Sequence, residues 1–184
     1  RMLRASDLPG GLGQGNNPEW KTLAVDEGTG NIVAPLGTIG YRWGQKEGGD
    51  LGKWNLETRE GGGADVKRRL SLIDARDDVQ AVAFPYFGGI EHEAFRHNDQ
   101  GGDILRRNVP VKKVVLNDGE ALVATVFDLL CANYGIDRGL GGENVAAVYT
   151  DDVPYTPAWQ QKITGVPAEQ VITVARQFAD NADK

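Results

Sequence analysis

The sequence predicts a mixed α and β chain, with short strands and loops in the first half and strands plus three helices in the second. Three observations support this α/β class. Short β-prone runs alternate with glycine-rich turns over the first hundred residues. An apolar repeat at helical spacing begins at Val123, and two segments after Thr156 carry helix start and stop signals.

The first hundred residues predict short strands separated by surface loops. The run "WKTLAVDEGTGNIVAP" at 20–35 predicts a hairpin that turns at Asp26–Asn31. Three further runs are strand candidates: "TIGYRW" at 38–43, "RLSLI" at 69–73, and "VQAVAF" at 79–84, which ends in the turn "PYFGG". The stretches "GQKEGGDLGKW" and "REGGGADVKRR" predict loops, because clustered glycines raise the entropy cost of regular structure.

The second half is more regular. "VPVKKVVLNDGEALV" at 109–123 predicts two strands around a turn at Asn117–Glu120. In the next segment, Thr125 and Asp128 have the spacing of a capping box, and Gly135 suits the end of a helix. The apolar residues between them fall on one helical face: Val123, Val126, Phe127, Leu130, Cys131 and Tyr134.

The closing segment, 156–184, predicts two helices joined by a tight turn. Thr156 can cap the first helix, with Pro157 at its first position, and Gly165 stops it. Pro167 starts the second helix, with Glu169 near the positive end of the helix dipole. The predicted buried stripe of this helix consists of Val171, Ile172, Ala175, Phe178, Ala179 and Ala182.

Composition limits the function classes. Hydrophobic residues make up 40% and charged residues 25% of the chain, which is typical of a globular protein. The net charge of −6 disfavours non-specific binding to nucleic acid. Cys131 is the only cysteine in the sequence, so no intrachain disulfide forms. No apolar run approaches the ~20 residues that span a bilayer.

The termini predict that the chain is an internal piece of a longer polypeptide. It begins at Arg1 rather than at an initiator methionine, and it stops in the polar end of a predicted helix. Within the piece we predict an irregular, partly β region at 1–108. An α/β segment at 109–184 follows and ends in the helical hairpin.

Two motifs invite a nucleic-acid or nucleotide interpretation. The hairpin at 156–184 has the outline of a helix-turn-helix, but its predicted reading helix exposes Glu169 and Gln170 where cations would be needed. The run "GGLGQGNNPEW" at 10–20 lacks the preceding strand and following helix that a dinucleotide loop requires. A structural helical hairpin and a plain loop are therefore favoured.

The remaining candidate residues give only weak evidence for a metal site, a nucleophile or an acid–base pair. His92 and His97 are five residues apart, which does not place both imidazoles on one helical face for a metal. Cys131 lies on an apolar stripe, which favours a buried, inert thiol. Asp151–Asp152 favours a solvated turn over an acid–base pair, and "FPYFGG" at 84–89 fits either a ligand-contacting loop or a strand end. Spacing alone therefore assigns no catalytic residue and no metal ligand.

Several longer phrases carry a family resemblance. They are "RMLRASDL", "NNPEWKTLAVD", "IGYRWG", "GKWNLE", "FPYFGG", "VPVKKVVLNDG", "LVATVFDLLCANYGIDRGL" and "YTPAWQQKITGVPAEQVITVARQFADNADK". In this order they resemble the catalytic alpha subunits of membrane-bound respiratory nitrate reductases. These subunits belong to the molybdopterin oxidoreductases, the family of dimethyl sulfoxide reductase. The resemblance covers nearly the whole chain.

The resemblance implies a parent enzyme that reduces nitrate to nitrite at a molybdenum bis(molybdopterin guanine dinucleotide) centre. Electrons from quinol would arrive through iron–sulfur clusters, including a 4Fe-4S cluster in the parent. The implied partners are an iron–sulfur beta subunit and a haem-containing gamma subunit in the membrane. The implied location is peripheral, on the cytoplasmic face of the bacterial inner membrane.

The resemblance transfers no catalytic residue to this chain. The family's cluster uses one histidine and three cysteines, whereas this chain has Cys131 alone. The molybdenum-binding aspartate is expected upstream of Arg1, and a further active-site stretch is expected after Lys184. We therefore expect the piece to be scaffold, inactive and poorly stable when isolated. The cofactor-contacting residues stay unassigned.

Two other functions stay open from the sequence. The chain could be a helix-turn-helix nucleic-acid binder, or it could belong to another molybdopterin oxidoreductase, such as a chlorate, selenate or perchlorate reductase. Salt-dependent DNA binding would distinguish the first alternative. The pocket of the parent enzyme would distinguish the second.

Overall fold

The computed structural model describes residues 1–10, 22–34, 67–85 and 104–182. The predicted strand at 38–43 and the predicted loop at 44–54 lie outside these residues. So do most of the loop at 59–69 and all of the turn "PYFGG" except Pro85.

The described residues form two small sheets and three helices, which confirms the predicted mixed α and β class. A short 3-10 turn occupies Ala5–Asp7. The strands are β1 Ala24–Val25, β2 Ile32–Val33, β3 Asp78–Pro85, β4 Ile104–Leu116 and β5 Gly119–Val123. The helices are α1 Val126–Asn133, α2 Pro157–Thr164 and α3 Ala168–Ala182.

The chain divides into two compact units. Unit 1 contains Arg1–Asp77 and Lys112–Val123, and unit 2 contains Asp78–Val111 and Ala124–Lys184. Strand β4 contributes to both, because its residues 104–111 pair with β3 and its residues 112–116 pair with β5, each time antiparallel. The predicted division into 1–108 and 109–184 stays a prediction.

Unit 1 begins with the predicted hairpin, which is confirmed. Strands β1 and β2 pair antiparallel, with Ala24 opposite Val33. Asp26 closes the turn, because its carboxylate accepts hydrogen bonds from the Thr29 hydroxyl at 2.7 Å and from the Thr29 amide at 3.2 Å. The same carboxylate accepts the amide of Lys67 at 3.2 Å, which joins the hairpin to a distant segment. One aspartate therefore organises both the turn and its neighbour.

The Asp26 carboxyl gives a test by pH. The Thr29 hydroxyl and nearby backbone amides favour its charged form and lower its pKa from the ordinary value of 3.8. The associated stabilisation is present above the unfolded-state pKa of about 3.9 and is lost as the pH falls through the lower folded value. We expect NMR to show Asp26 titrating below an unstructured aspartate. Thr29→Val should move that titration back upward, and an Asp26 that titrates at the ordinary pH would contradict the assignment.

The second half of unit 1 is the β4–β5 hairpin, also as predicted. Its turn is tied to the N-terminal segment, because the Asn117 side-chain amide donates to the Ser6 carbonyl at 2.9 Å. The Lys113 amide donates to Asp77 Oδ2 at 2.8 Å. Val114 is buried. A predicted local hairpin thus also fixes a contact more than a hundred residues away in sequence.

The predicted strand at 69–73 is wrong. These residues form no strand; the Arg69 amide donates to the Val25 carbonyl at 2.7 Å, and the segment then turns. Ser71 explains part of the difference, because its hydroxyl accepts the Ile73 amide at 3.1 Å. Such a local bond competes with strand pairing. Leu72 is buried, so the segment contributes to packing without joining a sheet.

Unit 2 is built on the pairing of β3 with the first part of β4. The predicted strand at 79–84 is confirmed, and its register runs from Asp78 opposite Val111 to Pro85 opposite Ile104. The core of the unit consists of Phe84 from β3, Val109 from β4 and Ala132 from α1. The core therefore holds α1 against this part of the sheet.

Helix α1 has the caps that the sequence predicts. The Thr125 hydroxyl accepts the Asp128 amide at 3.0 Å and donates to the Asp128 carboxylate at 2.7 Å. Gly135 follows the helix with a positive φ of 69°. The predicted apolar face of this helix included Val123, but Val123 belongs to the preceding strand, β5. Val126, Phe127, Leu130 and Tyr134 are exposed, and we call these four residues the α1 apolar face.

Helices α2 and α3 also begin and end as predicted. The Thr156 hydroxyl accepts the Trp159 amide at 3.1 Å, Pro157 opens α2, and Gly165 ends it in the left-handed region at φ 74°. The predicted buried stripe of α3 is wrong within the described residues, since α3 has no buried residue and Phe178 is 78% exposed. The apolar periodicity is real, but the surface that would cover it is not among these residues.

Among residues 1–10, 22–34, 67–85 and 104–182, no helix is both long and apolar enough to cross a membrane.

Candidate functional site

The most unusual group in unit 2 is a buried arginine. Residues of one face of β4 alternate into the interior, and Arg107 takes a position in this series between Leu105 and Val109. Its exposed fraction is 1%. Burying a guanidinium is costly unless its donors are satisfied, so its hydrogen bonds decide what this position does.

Arg107 donates to four backbone carbonyls. Its Nη1 donates to Ala132 O at 3.0 Å and to Asn133 O at 2.8 Å, both at the C-terminal end of α1. Its Nε donates to Glu143 O at 2.9 Å, and its Nη2 donates to Asn144 O at 2.9 Å. One planar side chain therefore fastens the end of a helix to the connector that follows it. A cation is favoured there, because the helix dipole places partial negative charge on the last carbonyls.

The backbone around Arg107 leaves little room. A Cβ atom on Gly135 would lie 2.7 Å from Arg107 Nη2, and one on Gly142 would lie 2.8 Å from Arg107 Cα. Glu143 closes the other side, where its carboxylate accepts the Arg106 amide at 2.6 Å and its own amide donates to Arg106 O at 2.8 Å. The guanidinium is thus enclosed by backbone rather than by carboxylates.

An aromatic cluster lies beside this arginine. The Tyr155 ring centroid is 5.9 Å from Arg107 Cζ, a distance that allows a cation–π contact. Tyr155 packs edge to face with Tyr134 at 6.2 Å and with Trp159 at 5.6 Å. Its φ is 73°, an uncommon value for a residue with a side chain, so the packing holds the backbone in a strained conformation.

Burial shifts the titration of Arg107. Loss of hydration disfavours the charged guanidinium and lowers the pKa of Arg107 from its ordinary value, whereas Tyr155 and Glu143 act in the opposite direction. The ordinary value is so high that the group stays charged at neutral pH. Its chemical role is therefore to donate hydrogen bonds and not to transfer protons.

A buried ion pair fixes the other side of α1. Asp128 is fully buried, and its carboxylate accepts from Arg138 Nη1 at 2.6 Å. The Arg138 guanidinium also lies over the Phe127 ring, with its Cζ 5.6 Å from the ring centroid. A small crevice between these groups has room for about one water molecule. Among the described residues, the cluster is therefore closely packed.

The ion pair gives a second test. We expect Asp128→Asn to lower the free energy of unfolding by about 2 kcal/mol, because it leaves the Arg138 cation without its counter-charge in a buried site. Hydrogen exchange of α1 amides would measure this loss. Asp137→Asn, on an exposed residue in the adjoining connector, is the control. Equal protection of α1 in the two variants would contradict the role of the pair.

The structure assigns structural roles to the predicted polar candidates. Cys131 is buried in α1, as predicted. Asp151 accepts the amides of Ala147 and Val148 at 2.8 and 3.0 Å and so closes a turn. Asp152 forms an ion pair with Lys162. The two neighbouring carboxylates serve different partners, which supports the predicted turn over an acid–base pair.

Other sequence candidates are described only in part. Of the run at 10–20, only Gly10 is described, and His92 and His97 lie outside the described residues. In "FPYFGG", Phe84 is a core residue and the Pro85 carbonyl faces the Tyr155 hydroxyl at 3.5 Å. Within the part of the chain that the structure describes, no three metal-ligating side chains converge.

The arginine network was missed by the sequence reasoning. One signal was available, since Arg107 stands at a position of β4 where the alternating residues Leu105, Val109 and Val111 are all apolar. A cation in such a series indicates a buried hydrogen-bonding role. Its partners carry no such signal, because backbone carbonyls are supplied by every residue type.

Comparison with known proteins gives relatives over the full sequence. The chain is 52% identical to the respiratory nitrate reductase 1 alpha chain of Escherichia coli over 100% of its own length and 14% of the relative's. It is 38% identical to the nitrate reductase alpha chain of Bacillus subtilis over 99% of its length and 13% of the relative's. The alpha subunit from Mycobacterium tuberculosis is 36% identical over the same shares.

No protein-family model matches the sequence. The chain spans about one seventh of the length of the curated relatives it matches. All three relatives are named as alpha chains or alpha subunits of nitrate reductases, and each aligns with 99% or more of the chain at 36% identity or above. Over its whole length the chain therefore matches one segment of nitrate reductase alpha chains.

Proposed function

We propose that the complete protein carrying this sequence is the catalytic alpha chain of a nitrate reductase, and that this chain is a structural segment of it. The observation that carries the proposal is the 52% identity to the Escherichia coli alpha chain along the whole sequence. The reaction consumes two electrons and two protons per nitrate and yields nitrite and water. The residues of this chain hold its backbone in place, and the reduction of nitrate takes place elsewhere in the alpha chain.

The residues present do not fit the cofactors that the resemblance implies. A 4Fe-4S cluster is normally held by four side-chain ligands, mostly cysteines, whereas this sequence has one cysteine and it is buried in α1. The described residues also bring no three metal-ligating side chains together. We therefore assign no step through molybdenum or iron–sulfur clusters to this chain. The proposal places their ligands in other parts of the alpha chain.

The wider assembly is part of the proposal and rests on the family resemblance. In it, quinol supplies electrons through an iron–sulfur beta subunit and a haem-containing membrane gamma subunit. The alpha chain holds molybdenum bis(molybdopterin guanine dinucleotide) and a 4Fe-4S cluster at the cytoplasmic face of the bacterial inner membrane. The segment described here contributes a rigid corner, because Arg107 fixes the end of α1 to the connector after it.

A segment exchange tests the proposal. The matching 14% of the Escherichia coli alpha chain is replaced by this sequence and produced in cells that lack their own nitrate reductases. We expect the chimera to accumulate and to reduce nitrate to nitrite with a reduced viologen dye as electron donor. The control carries a composition-matched shuffle of the same residues and should yield neither protein nor activity. A chimera that accumulates to the normal level without reducing nitrate would overturn the proposal.

The same chimera addresses the related oxyanions. The chimera's ratio of nitrate to chlorate, selenate and perchlorate reduction should equal that of the unmodified Escherichia coli enzyme, because the proposal places substrate contacts outside this segment. A changed ratio would mean that residues of this chain face the substrate. Purified alpha chain and each oxyanion at matched concentration are sufficient for the measurement.

Nucleic-acid binding has no observation in its favour. Helix α3 carries one cation, Arg176, and two anions, Glu169 and Asp180, so it offers no excess positive charge to phosphates. An electrophoretic shift with duplex DNA at low salt is the direct test. We expect no binding, and a tight complex that weakens steeply with salt would favour the helix-turn-helix alternative.

A further inference from the structure

Among the described residues, the α1 apolar face is half-exposed, and its contacts with unit 2 include Arg138 over the Phe127 ring and Tyr155 beside Tyr134. Its four side chains, Val126, Phe127, Leu130 and Tyr134, are between 44% and 58% exposed. They follow one another at helical spacing and form a continuous stripe. Asp128, Cys131 and Ala132 on the same helix are buried. Helix α1 therefore has one side seated in the core and another apolar side open.

The helix that carries this face is held firmly. Thr125 caps its start, and the Asp128–Arg138 ion pair fixes its middle. Arg107 binds the last carbonyls of the helix. Since the backbone is already ordered, a partner that docks on this face does not have to supply the ordering entropy of the helix.

The chemistry of the face favours a permanent, core-like contact. None of its four members is charged, since Val126 and Leu130 are aliphatic and Phe127 and Tyr134 are aromatic. Obligate contacts resemble a domain core cut in two, whereas transient interfaces are more polar. A charged peptide or a nucleic acid would gain little from this stripe.

We propose that the α1 apolar face packs against another segment of the same alpha polypeptide, outside residues 1–184, that presents an uncharged apolar helix or strand. This inference rests on the proposed function. The relatives are about seven times longer than this chain, so most of the alpha polypeptide lies outside it. A covalently attached partner acts at a high effective concentration, which favours it over a separate subunit with a similar surface.

Photochemical crosslinking in the assembled chimera tests the inference. A benzophenone amino acid replaces Tyr134 in one variant and Phe127 in a second, so that each change exchanges one aromatic side chain for another. A third variant carries the probe at Asp118, an exposed polar residue in the β4–β5 turn. After irradiation, mass spectrometry identifies the crosslinked peptides. We expect Tyr134 and Phe127 to give one dominant peptide from the alpha chain outside the exchanged segment.

Each outcome decides the inference. A crosslink from Tyr134 or Phe127 to the exchanged segment itself, to a different subunit, to a second copy or to lipid overturns it, and so does a yield no higher than at Asp118. Hydroxyl-radical footprinting covers the case in which both probe variants fail to assemble. In the chimera without probes, Phe127, Leu130 and Tyr134 should be at least about fivefold less reactive than in the same chimera unfolded in urea, because their 44–55% exposure within this chain alone predicts only about a twofold decrease. A decrease of about twofold or less would overturn the inference.

The experiments distinguish a failure of the proposed nitrate reductase function from a failure of the inference about the α1 apolar face. Nitrate reduction by the chimera without probes reports on the proposed function alone. An active chimera whose α1 apolar face crosslinks to another subunit leaves the function standing and removes the inference. A chimera that accumulates but does not reduce nitrate removes the function, whatever the crosslinks show.

Discussion

Arg107→Ala is expected to lower the free energy of unfolding of unit 2 by about 4 kcal/mol. The substitution removes all four charge-assisted hydrogen bonds to Ala132, Asn133, Glu143 and Asn144 at once. Each buried carbonyl that loses its donor costs about 1–3 kcal/mol, and water entering the vacated space offsets part of the sum. A loss of this size is a large fraction of the stability of an ordinary domain.

Native-state hydrogen exchange measures this loss where it should occur. The amides at the end of α1 and in the connector should lose protection by about three orders of magnitude, since 1.4 kcal/mol corresponds to a factor of ten. The β1–β2 hairpin belongs to unit 1 and serves as the internal reference. An Arg107→Ala chain with unchanged protection in α1 would show that the four bonds contribute little.

Arg107→Lys separates charge from geometry. Lysine keeps the positive charge but presents its donors from one nitrogen, so it does not match the four carbonyl oxygens that surround the guanidinium. We expect a loss of about 2 kcal/mol, roughly half that of alanine. If the Arg107→Lys variant kept the full hydrogen-exchange protection of α1, the planar guanidinium geometry would not be the cause of the stabilisation.

Local features of this fold were predictable from the sequence because they depend on neighbouring residues. The caps at Thr125 and Thr156 and the stop at Gly165 are confirmed, since each is decided within one helical turn. The hairpin at Asp26 is confirmed for the same reason. In contrast, the strand at 69–73 was wrong, because residues of this composition can turn when a serine hydroxyl binds the backbone.

Burial was less predictable, because periodicity identifies an apolar face but not its partner. The stripe of α3 was predicted to be buried, yet no described residue of α3 is buried and Phe178 is 78% exposed. The α1 apolar face was predicted from the same kind of periodicity, and its members are likewise exposed. Both helices follow the amphipathic rule, which assumes that a covering surface exists. Here the described residues do not supply one.

The arginine network could not be predicted in full, because its acceptors have no sequence signature. Arg107 reaches carbonyls 25 to 37 positions further along the chain. These acceptors are backbone atoms, so no residue type marks them. The glycines that admit the guanidinium, Gly135 and Gly142, were visible in the sequence, but only Gly135 was given a role, and that role was a helix end.

Gly135→Ala is expected to lower the free energy of unfolding of unit 2 by about 3 kcal/mol. Two independent causes combine. Gly135 has a φ of 69°, where a side chain costs about 1–2 kcal/mol. The added Cβ would also lie 2.7 Å from Arg107 Nη2 and 2.8 Å from Asn144 O, so the guanidinium or the connector backbone must move. Overpacking of this kind typically costs about 1–3 kcal/mol.

Gly139→Ala is the matched control, since it separates backbone strain from crowding. Gly139 has nearly the same φ, 73°, but a Cβ there would meet no atom within 4 Å. We therefore expect Gly139→Ala to cost about 1 kcal/mol, the strain alone. The double substitution Gly135→Ala with Arg107→Ala should cost less than the sum of the two single changes, because the clash has lost one of its partners. If Gly135→Ala and Gly139→Ala proved equal, or if the double variant were additive, the close fit of backbone around Arg107 would not be what stabilises this corner of unit 2.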